Sequence, residues 1–395
     1  MTIDINRCEA SHIKVPLKSK YRHHMSKFKF ADIILVKCID KEGNEGWGES
    51  IPRTYVTGET ITTVFDDLEK LIIPKFINRD RKKCEISFSD LLNRYSSFAL
   101  NKNYRNKGSA LCAFELAMLD LFSHKYNMSI SKFFTDNKKA ILQYSFPIGI
   151  FSFIKTLIIC LKYRMWGQKN IKIKVGDKNE FQRVQIITKI IGKNGKYYLD
   201  ANGGWDIPKV LSNQDYLIKR GITAIEQPIN KIDLLKMNED IIKSNKMYIA
   251  KYSDIKLPFI ADESFCNYFD LIQLVQNGII KMINIRISKC GGLIISNMLA
   301  NIALSHGIKF IVGGMVGESN LLSTVEQVFA LINPNYELYN GMGKSIYLKE
   351  QPFIINRNFK KNGSYPINSD SELTYYPNKT VISKYLVKKK VLKLH

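Results

Sequence analysis

Short runs of hydrophobic residues alternate with longer amphipathic segments from about residue 142 onward. Seven runs rich in β-branched and aromatic residues follow one another: QYSFPIGI, IKIKV, YYLDAN, ITAIEQP, PFIADES, MINIRIS and KFIVGGM. This alternation predicts strands separated by helices and is typical of a (β/α) barrel. An open doubly wound sheet gives the same alternation, but the G-x-G-x-x-G motif of a dinucleotide-binding fold does not follow the first run.

The first part of the chain follows a different pattern. Residues 28–39 and 45–49 are predicted to form two strands joined by a short turn. The spacing of hydrophobic residues predicts helices over residues 59–77, 87–98 and 108–124. Strands followed by helices indicate an α+β unit. Residues 346–395 return to irregular and extended chain.

The chain is strongly basic, with a net charge of +23 over 395 residues. Such a charge suits nucleic-acid binding, attraction of acidic substrates, or the lysine- and asparagine-rich composition that AT-rich coding produces. The basic residues are spread along the chain, without a helix-turn-helix, zinc-finger or aromatic RNA-binding pattern. We therefore expect no nucleic-acid partner.

Cysteine usage and the N-terminal sequence indicate the compartment. The seven cysteines are odd in number and no two are spaced as C-x-x-C, which favours reduced thiols over disulfides or a zinc site. The N-terminus has no apolar core of a secretory signal, and the most hydrophobic stretch, residues 141–162, is interrupted by Pro147 and Lys155. We expect a cytoplasmic protein without a membrane span.

Polar residues stand at the carboxyl ends of the predicted barrel strands. Lys172 and Lys174 alternate with β-branched residues, so the two lysines share one face of their strand. Later strand ends contribute Asp200, Glu226, Asp262 and Lys289, at steps of 26, 26, 36 and 27 residues. Because reacting groups in barrel enzymes lie at these ends, we expect all six at one mouth of the barrel.

Each acid taken alone has an ordinary structural explanation. Asp200 can form an Asx turn, Glu226 can end a strand, and Asp262 can cap the next helix. A functional role is favoured because the three acids are in register with the lysines. Three carboxylates from adjacent strands form an oxygen cage that suits Mg²⁺.

The lysines are then expected to act on a proton. Lys172 and Lys174 lie about 6–7 Å apart along a strand and repel each other, which lowers the pKa toward that of a base. Lys289 comes from the far side of the barrel. A substrate carboxylate on Mg²⁺ would place its α-carbon between the lysines, and the metal would stabilise the enediolate left after proton removal.

The order of these motifs resembles that of the enolase superfamily, muconate-lactonizing subgroup, which uses this chemistry. The matching barrel stretches are IKIKVG (171–176), YLDANGGW (198–205), AIEQP (224–228), ADES (261–264), NIRISKCGGL (284–293) and GGMVGESNLLS (313–323). Upstream, GWGESIPRTYVTGET (46–60) and AFELAMLDL (113–121) resemble the capping domain of that subgroup.

The resemblance implies an α/β fold, a modified TIM barrel of (β/α)7β type with an N-terminal α+β capping domain that the C-terminal segment completes. The implied boundaries are residues 1–135 for the cap, 136–345 for the barrel and 346–395 for the C-terminal segment. It also implies a homo-oligomer, because members of the family form dimers or octamers.

The resemblance also implies the roles of the residues. One Mg²⁺ per chain would be bound by Asp200, Glu226 and Asp262. Lys174 would be the base on one face of the substrate, with Lys172 lowering its pKa, and Lys289 would act on the opposite face. Asn202 and Glu263 would lie near the metal, and Glu318 near Lys289. Cap loops would close over the substrate with Arg22, His23, His24, Arg53, Tyr55 and Thr57.

Two departures from the family leave the reaction open. The His–Asp pair of mandelate-racemase-like members is absent from residues 311–315, and in place of the Asp-x-Asp of dipeptide epimerases only Glu337 is available. We expect Mg²⁺-dependent removal of the α-proton of a carboxylate substrate, as in racemisation or epimerisation of an amino-acid derivative or dipeptide. The alternatives are a muconate-type cycloisomerase and an o-succinylbenzoate-synthase-type dehydratase. A non-catalytic basic binding protein is a more remote alternative.

Overall fold

An antiparallel sheet begins the chain. The computed structural model describes residues 1–23, 26–76, 85–137, 139–236, 254–340, 347–355, 364–368 and 375–392. The first strands are β1 (Thr2–His23), β2 (Ser26–Asp40), β3 (Glu45–Ser50) and β4 (Glu85–Ser87). β2 pairs with β1 and β3, and β4 pairs with the start of β1. The predicted hairpin of β2 and β3 is confirmed.

Helices cover one face of this sheet. They are α1 (Thr54–Thr57), α2 (Ile61–Asp67), α3 (Phe88–Leu100) and α4 (Gly108–Tyr126). The single helix expected over residues 59–77 is wrong, because α2 continues as a π turn (Leu68–Ile72) and a 3-10 turn (Ile73–Lys75). Further 3-10 turns span Lys102–Tyr104 and Ile130–Phe133. α4 lies in the core, with its residues buried from Gly108 to Phe122.

Two glycines let β3 approach the backbone of α4. A Cβ atom at Gly48 would lie 2.0 Å from the carbonyl oxygen of Ala113, and one at Gly46 would lie 2.2 Å from that of Ala117. Neither contact is possible for a side chain, so the sequence GWG fixes the distance between sheet and helix.

A parallel sheet forms the second part of the molecule. After β5 (Lys139–Gln143), its strands are β6 (Phe146–Ile148), β7 (Asn170–Lys174), β8 (Lys196–Asp200), β9 (Ile222–Glu226), β10 (Phe259–Ala261), β11 (Ile280–Arg286) and β12 (Lys309–Gly313), and they pair in chain order. The connecting helices are α5 (Phe153–Met165), α6 (Glu180–Ile191), α7 (Ile207–Lys219), α8 (Lys231–Lys236), α9 (Tyr268–Asn277), α10 (Ile287–Cys290), α11 (Leu293–Ser305) and α12 (Asn320–Ile332).

Residues 337–340 close this sheet into a barrel. Tyr339 forms parallel bridges with Val312 of β12 on one side and with Tyr144, just before β6, on the other. The backbone N–H of Ser145 donates to the carbonyl of Tyr339 at 2.8 Å, and that of Val312 donates to Leu338 at 2.9 Å. The segment therefore serves as the eighth strand, and the predicted (β/α)7β barrel is confirmed.

The C-terminal segment joins the cap sheet and takes part in two small two-stranded sheets. Its elements are β13 (Phe353–Ile354), β14 (Ser364–Asn368), β15 (Tyr376–Pro377), α13 (Lys379–Lys384) and β16 (Leu386–Leu392). β16 pairs antiparallel with β1, so the end of the chain completes the cap sheet. β14 pairs with β5 beside the barrel.

The interior of the barrel is filled below its carboxyl end. Tyr198, Ala224, Ile260 and Ile311, from four different strands, form a buried cluster. This layer of side chains fills the barrel, so polar residues can gather above it, at the carboxyl ends of the strands. Among the described residues, no helix combines the length and apolarity needed to cross a membrane. The six cysteines in the described part of the chain are buried and free.

Buried glutamates connect the cap to the barrel helices. Glu49 of β3 accepts the N–H of Ser319, which caps α12, at 2.7 Å, and Glu115 of α4 accepts the N–H of Ile294 in α11 at 2.7 Å. Within the cap, Glu59 accepts the N–H of Ser109 in α4 at 2.9 Å. Each carboxyl group occupies a helix N-terminus, where unpaired N–H groups need acceptors.

Candidate active site

The two lysines of β7 point into the barrel. Ile171 and Ile173 are fully buried under the outer helices, so Lys172 and Lys174 take the inner face. The Nζ atom of Lys172 lies 3.1 Å from Asp200 Oδ2 and 2.7 Å from Glu226 Oε2. Lys172 therefore bridges the ends of the next two strands, β8 and β9.

Asp262 forms a second group with two basic residues. Lys289 Nζ donates to Asp262 Oδ1 at 3.1 Å, to the carbonyl of Asp262 at 2.7 Å and to that of Asn284 at 2.9 Å. The guanidinium of Arg286 pairs with Asp262 Oδ2. We expected Lys289 at a strand end, but β11 ends at Arg286 and Lys289 lies in the short helix α10.

Asn202 connects Lys174 of β7 with Glu263, the residue after Asp262. Its Oδ1 accepts from Lys174 Nζ at 2.6 Å and its Nδ2 donates to Glu263 Oε1 at 3.1 Å. Asn202 adopts a left-handed conformation with φ of 45° in the turn after β8, which asparagine tolerates better than most residues. Asn202 and Glu263 therefore lie beside the carboxylates, where the sequence placed them.

Burial and pairing set the charges of the site. Burial alone would raise the pKa of Asp200, but Lys172 and Lys174 outweigh it and lower that pKa to about 2. Burial would lower the pKa of Lys172, but Asp200 and Glu226 raise it instead. This is the opposite of our expectation for Lys172, which considered repulsion between the lysines and not their pairing with carboxylates.

Lys289 differs from Lys172 in this respect. Burial lowers the pKa of Lys289, and the nearby charge of Arg286 lowers it further. Burial also raises the pKa of Glu263, and repulsion by Asp200 and Glu226 adds to this effect. A lysine whose pKa is lowered gives up its proton more readily, as a general base must.

The three carboxylates fit Mg²⁺ by their chemistry. Asp200, Glu226 and Asp262 are buried and offer only oxygen donors. Oε2 of Glu226 accepts no hydrogen bond, although Lys172 lies beside it. Within the described residues, no group of three or more His, Cys, Asp and Glu side chains is arranged to hold a metal ion. The three carboxylates match Mg²⁺ in donor type, while Asp262 is paired here with Arg286 and Lys289.

A cavity opens above these residues toward the cap. Arg53 and Tyr55 line it from the cap side, and Met315 and Tyr347 line it from the far wall. Arg53 is buried, and its Nη2 donates to the carbonyl of Val316 at 2.9 Å. The 50–59 segment therefore reaches the cavity, but Thr57 is directed back to its own helix, donating to the carbonyl of Arg53 at 3.3 Å.

The remaining residues that the sequence suggested for the site differ in where the structure places them. Glu337 pairs with Lys309 at 2.9 Å, at the amino end of β12 and so away from the mouth of the barrel, and its placement in the substrate site is wrong. Glu318 accepts from the N–H of Met315 at 2.7 Å, and burial raises its pKa to about 7. Arg22 and His23 lie at the end of β1 with side chains outside the described part, and His24 lies outside the described residues.

Four further residues complete the site. Asn284 Nδ2 donates to Glu226 Oε1 at 2.9 Å, and Arg286 contacts Asp262 and, at 3.5 Å, the sulfur of Met315. Tyr198 donates to Asn340, which lines the cavity from the closing segment. Arg286 could have been found by the strand-end rule. Asn284, Tyr198 and Asn340 carry no comparable signal because strand alternation alone does not mark a polar core residue.

The barrel matches a known family. Residues 160–361, more than half of the chain, match the family model described as "Enolase C-terminal domain-like". An L-Ala-D/L-Glu epimerase of Francisella tularensis subsp. novicida (strain U112) is 26% identical over 371 residues, 90% of this chain and 97% of that protein. An o-succinylbenzoate synthase of Bacillus subtilis (strain 168) is 22% identical over 399 residues, 100% of both chains.

Solved structures show the same fold. The N-succinyl Arg/Lys racemase of Bacillus cereus ATCC 14579 superposes with a TM-score of 0.83 at 20% identity, covering 99% of this chain and 100% of that one. A dipeptide epimerase of Cytophaga hutchinsonii, complexed with Mg and the dipeptide D-Ala-L-Val, superposes with a TM-score of 0.78 at 21% identity, covering 99% and 100%. The barrel, the cap and the match to the family model together show that this chain belongs to the enolase superfamily, within the mandelate racemase and muconate lactonizing enzyme family.

Proposed function

We propose that this protein moves the α-proton of a carboxylate substrate and thereby racemises or epimerises an amino-acid derivative or a dipeptide. The observation that carries the proposal is a pair of lysines beside the three carboxylates: the half-buried Lys174 near Asp200 and the buried Lys289 next to Asp262. The relatives that are named as epimerases support the same reaction.

Lys174 is the base for one epimer. It lines the cavity, where its ammonium group donates to Asn202 at 2.6 Å and lies 3.8 Å from Asp200. Lys289 serves the other epimer, and its lowered pKa suits proton exchange. To reach a substrate, Lys289 must break one of the two hydrogen bonds that it donates to Asp262. Lys172 stays protonated between Asp200 and Glu226, where it supplies fixed positive charge for a substrate carboxylate.

Asp200, Glu226 and Asp262 are the residues that would hold Mg²⁺. When bound, the ion supplies positive charge beside the substrate carboxylate and so favours loss of the α-proton. Asn202 and Glu263 would orient these ligands, because Asn202 joins Glu263 to Lys174.

The charges around the cavity indicate an acylated or acidic substrate. Arg53 and Arg286 line the cavity, and so does Asn340 of the closing segment. In this part of the chain the resemblance to dipeptide epimerases led us to expect an acid, which would pair with the ammonium group of a substrate. A free ammonium group would meet a neutral amide there. An N-acyl amino acid has no free ammonium group and avoids this loss.

A dehydratase of the o-succinylbenzoate-synthase type is the second candidate. It is supported by the relative of that name in Bacillus subtilis, which aligns over 100% of both chains. The same lysines would serve this reaction, with one acting as base and the other as electrostatic support.

Proton exchange in D₂O distinguishes these activities. Purified protein with Mg²⁺ is incubated with single enantiomers of N-acyl amino acids and dipeptides, and products are followed by NMR. The proposal expects deuterium at the α-carbon of both epimers. Loss of water or formation of a lactone instead assigns the other reactions.

Variants of the two lysines test the roles. Lys174→Ala and Lys289→Ala should each lower epimerisation by about 10²–10⁴-fold, the usual contribution of a positioned base. Each variant should still exchange the α-proton of the one epimer that the remaining lysine serves. Wild-type turnover in both variants would refute the assignment.

A further inference from the structure

The outer surface of α5, together with a residue two positions before its start, carries a row of exposed hydrophobic side chains. Phe151, Ile154, Ile158, Leu161 and Met165 expose 36%, 68%, 59%, 47% and 78% of their surface. They follow one another at intervals of 3, 4, 3 and 4 residues, the spacing that aligns side chains along one seam of a helix. We call these five residues the outer stripe. The opposite face of α5, with Thr156 and Cys160, is buried against the barrel.

The outer stripe lies at the upper end of the apolar patches that monomers expose. Single exposed hydrophobic residues are ordinary on protein surfaces, but these five follow one another along one face and together expose on the order of 600 Å². Two such surfaces buried against each other would reach about 1,200 Å², the lower end of the range for specific interfaces.

The basic residues beside the stripe are held against their own chain. Lys155 lies 4.1 Å from the ring centre of Phe151, and Lys162 lies 4.4 Å from that of Trp166. Arg164 donates to the carbonyl of Ile190, at the end of α6, at 3.0 Å. The seam between them is left apolar, which suits a helix with the same spacing better than a surface recognised by charge.

We propose that the outer stripe is an interface between two copies of this chain, with α5 of each packed antiparallel around a two-fold axis. Such an interface uses the same patch on both partners, and a seam with 3–4 spacing is complementary to itself. In this arrangement Lys155 and Lys162 of one copy approach those of the other. Their repulsion weakens the dimer at low ionic strength, so added salt should strengthen it. The proposal is independent of the proposed activity.

Sedimentation of the full-length protein over a range of concentrations and salt tests the interface. The wild-type protein should dimerise, more tightly at high salt. Ile158→Glu places a charge at the centre of the seam and should weaken self-association at least ~100-fold. Leu161→Ser, a milder change, should weaken it less. Ile218→Glu is the matched control, because Ile218 is 41% exposed on the outer helix α7 and outside the stripe.

Three outcomes would overturn the proposal. The first is a wild-type protein that stays monomeric at every concentration and salt. The second is an Ile158→Glu variant that keeps the wild-type circular dichroism spectrum and still dimerises as tightly as the wild type. The third is a monomer that sediments with anionic but not with neutral phospholipid vesicles and loses this binding in Ile158→Glu, since the stripe would then serve a membrane surface.

Discussion

At the scale of single residues, the same side chain acquires opposite properties from its partners. The pKa of Lys172 is raised because two carboxylates flank it, whereas the pKa of Lys289 is lowered because it is buried, with Arg286 nearby. Of these two lysines, Lys289 is the one whose pKa is lowered. Pairing, and not residue type, separates a fixed positive charge from a proton carrier.

Glu49 makes the stability of the fold depend on pH. Burial raises its pKa from 4.5 to about 8, although Ser319 donates hydrogen bonds to it. Between these two values the folded protein retains a proton that the unfolded chain has lost. Stability should therefore fall as pH rises from about 5 to 8, by up to about 1.4 kcal/mol for each pH unit.

Urea unfolding at several pH values checks this dependence. Glu59, whose burial raises its pKa to about 7, contributes with the same sign. In Glu49→Gln the loss of stability between pH 5 and pH 8 should shrink, because one of the groups that titrate in this range is gone, while Glu59 and Glu318 remain. An unchanged slope in the variant would show that Glu49 does not titrate in this range.

At the scale of elements, backbone contacts and helix ends join the cap to the barrel. Glu49 and Glu115 reach from β3 and α4 to the N-termini of two barrel helices. Arg53, between these elements, reaches the carbonyl of Val316. The cap is thus attached to the same side of the barrel that holds the site.

Gly48 should not tolerate a side chain. The Cβ atom of Gly48→Ala would overlap backbone atoms of Ala113 and Ala117 in α4, which cannot move independently of the core. We expect a loss of about 3 kcal/mol or more in the free energy of unfolding, measured by urea denaturation. Gly43→Asn is the control, because Gly43 has a φ of 88° in an open turn that asparagine tolerates. Equal stability of the two variants would contradict the close contact between β3 and α4.

At the scale of the whole molecule, metal binding should be coupled to stability. If Asp200, Glu226 and Asp262 hold Mg²⁺ in the folded state alone, Mg²⁺ at 100 times its dissociation constant adds about 2.7 kcal/mol. The melting temperature should rise by a few degrees with Mg²⁺ and fall again with EDTA. Differential scanning fluorimetry measures this shift without a substrate.

Glu226→Gln and Glu337→Gln form a matched pair for this experiment. Glu226 is fully buried in the carboxylate group, whereas Glu337 pairs with Lys309 at the opposite end of β12. The shift with Mg²⁺ should be lost in the first variant and kept in the second. A shift of wild-type size in Glu226→Gln would place the metal elsewhere.

The sequence alone was sufficient for the order of the elements and for most of the residues that meet in the candidate site. Alternation of period two placed Lys172 and Lys174 on an inner face, and the interval of one strand and one helix placed Asp200, Glu226 and Asp262 beside them. These features are local or periodic, so neighbouring residues encode them. The break of the helix after α2 was missed because its hydrophobic spacing continues through the π and 3-10 turns.

Only the tertiary structure decided which polar groups meet. Tyr339 closes the barrel by pairing with strands about 27 and 195 residues earlier, which brings Asn340 to the cavity and leaves Glu337 at the far end. The pairing of Asp262 with Arg286 and the raised pKa of Lys172 likewise depend on side chains from different strands. Periodicity determines the face on which a residue lies, but a charge is set by the groups that the closed barrel places within a few ångströms of it.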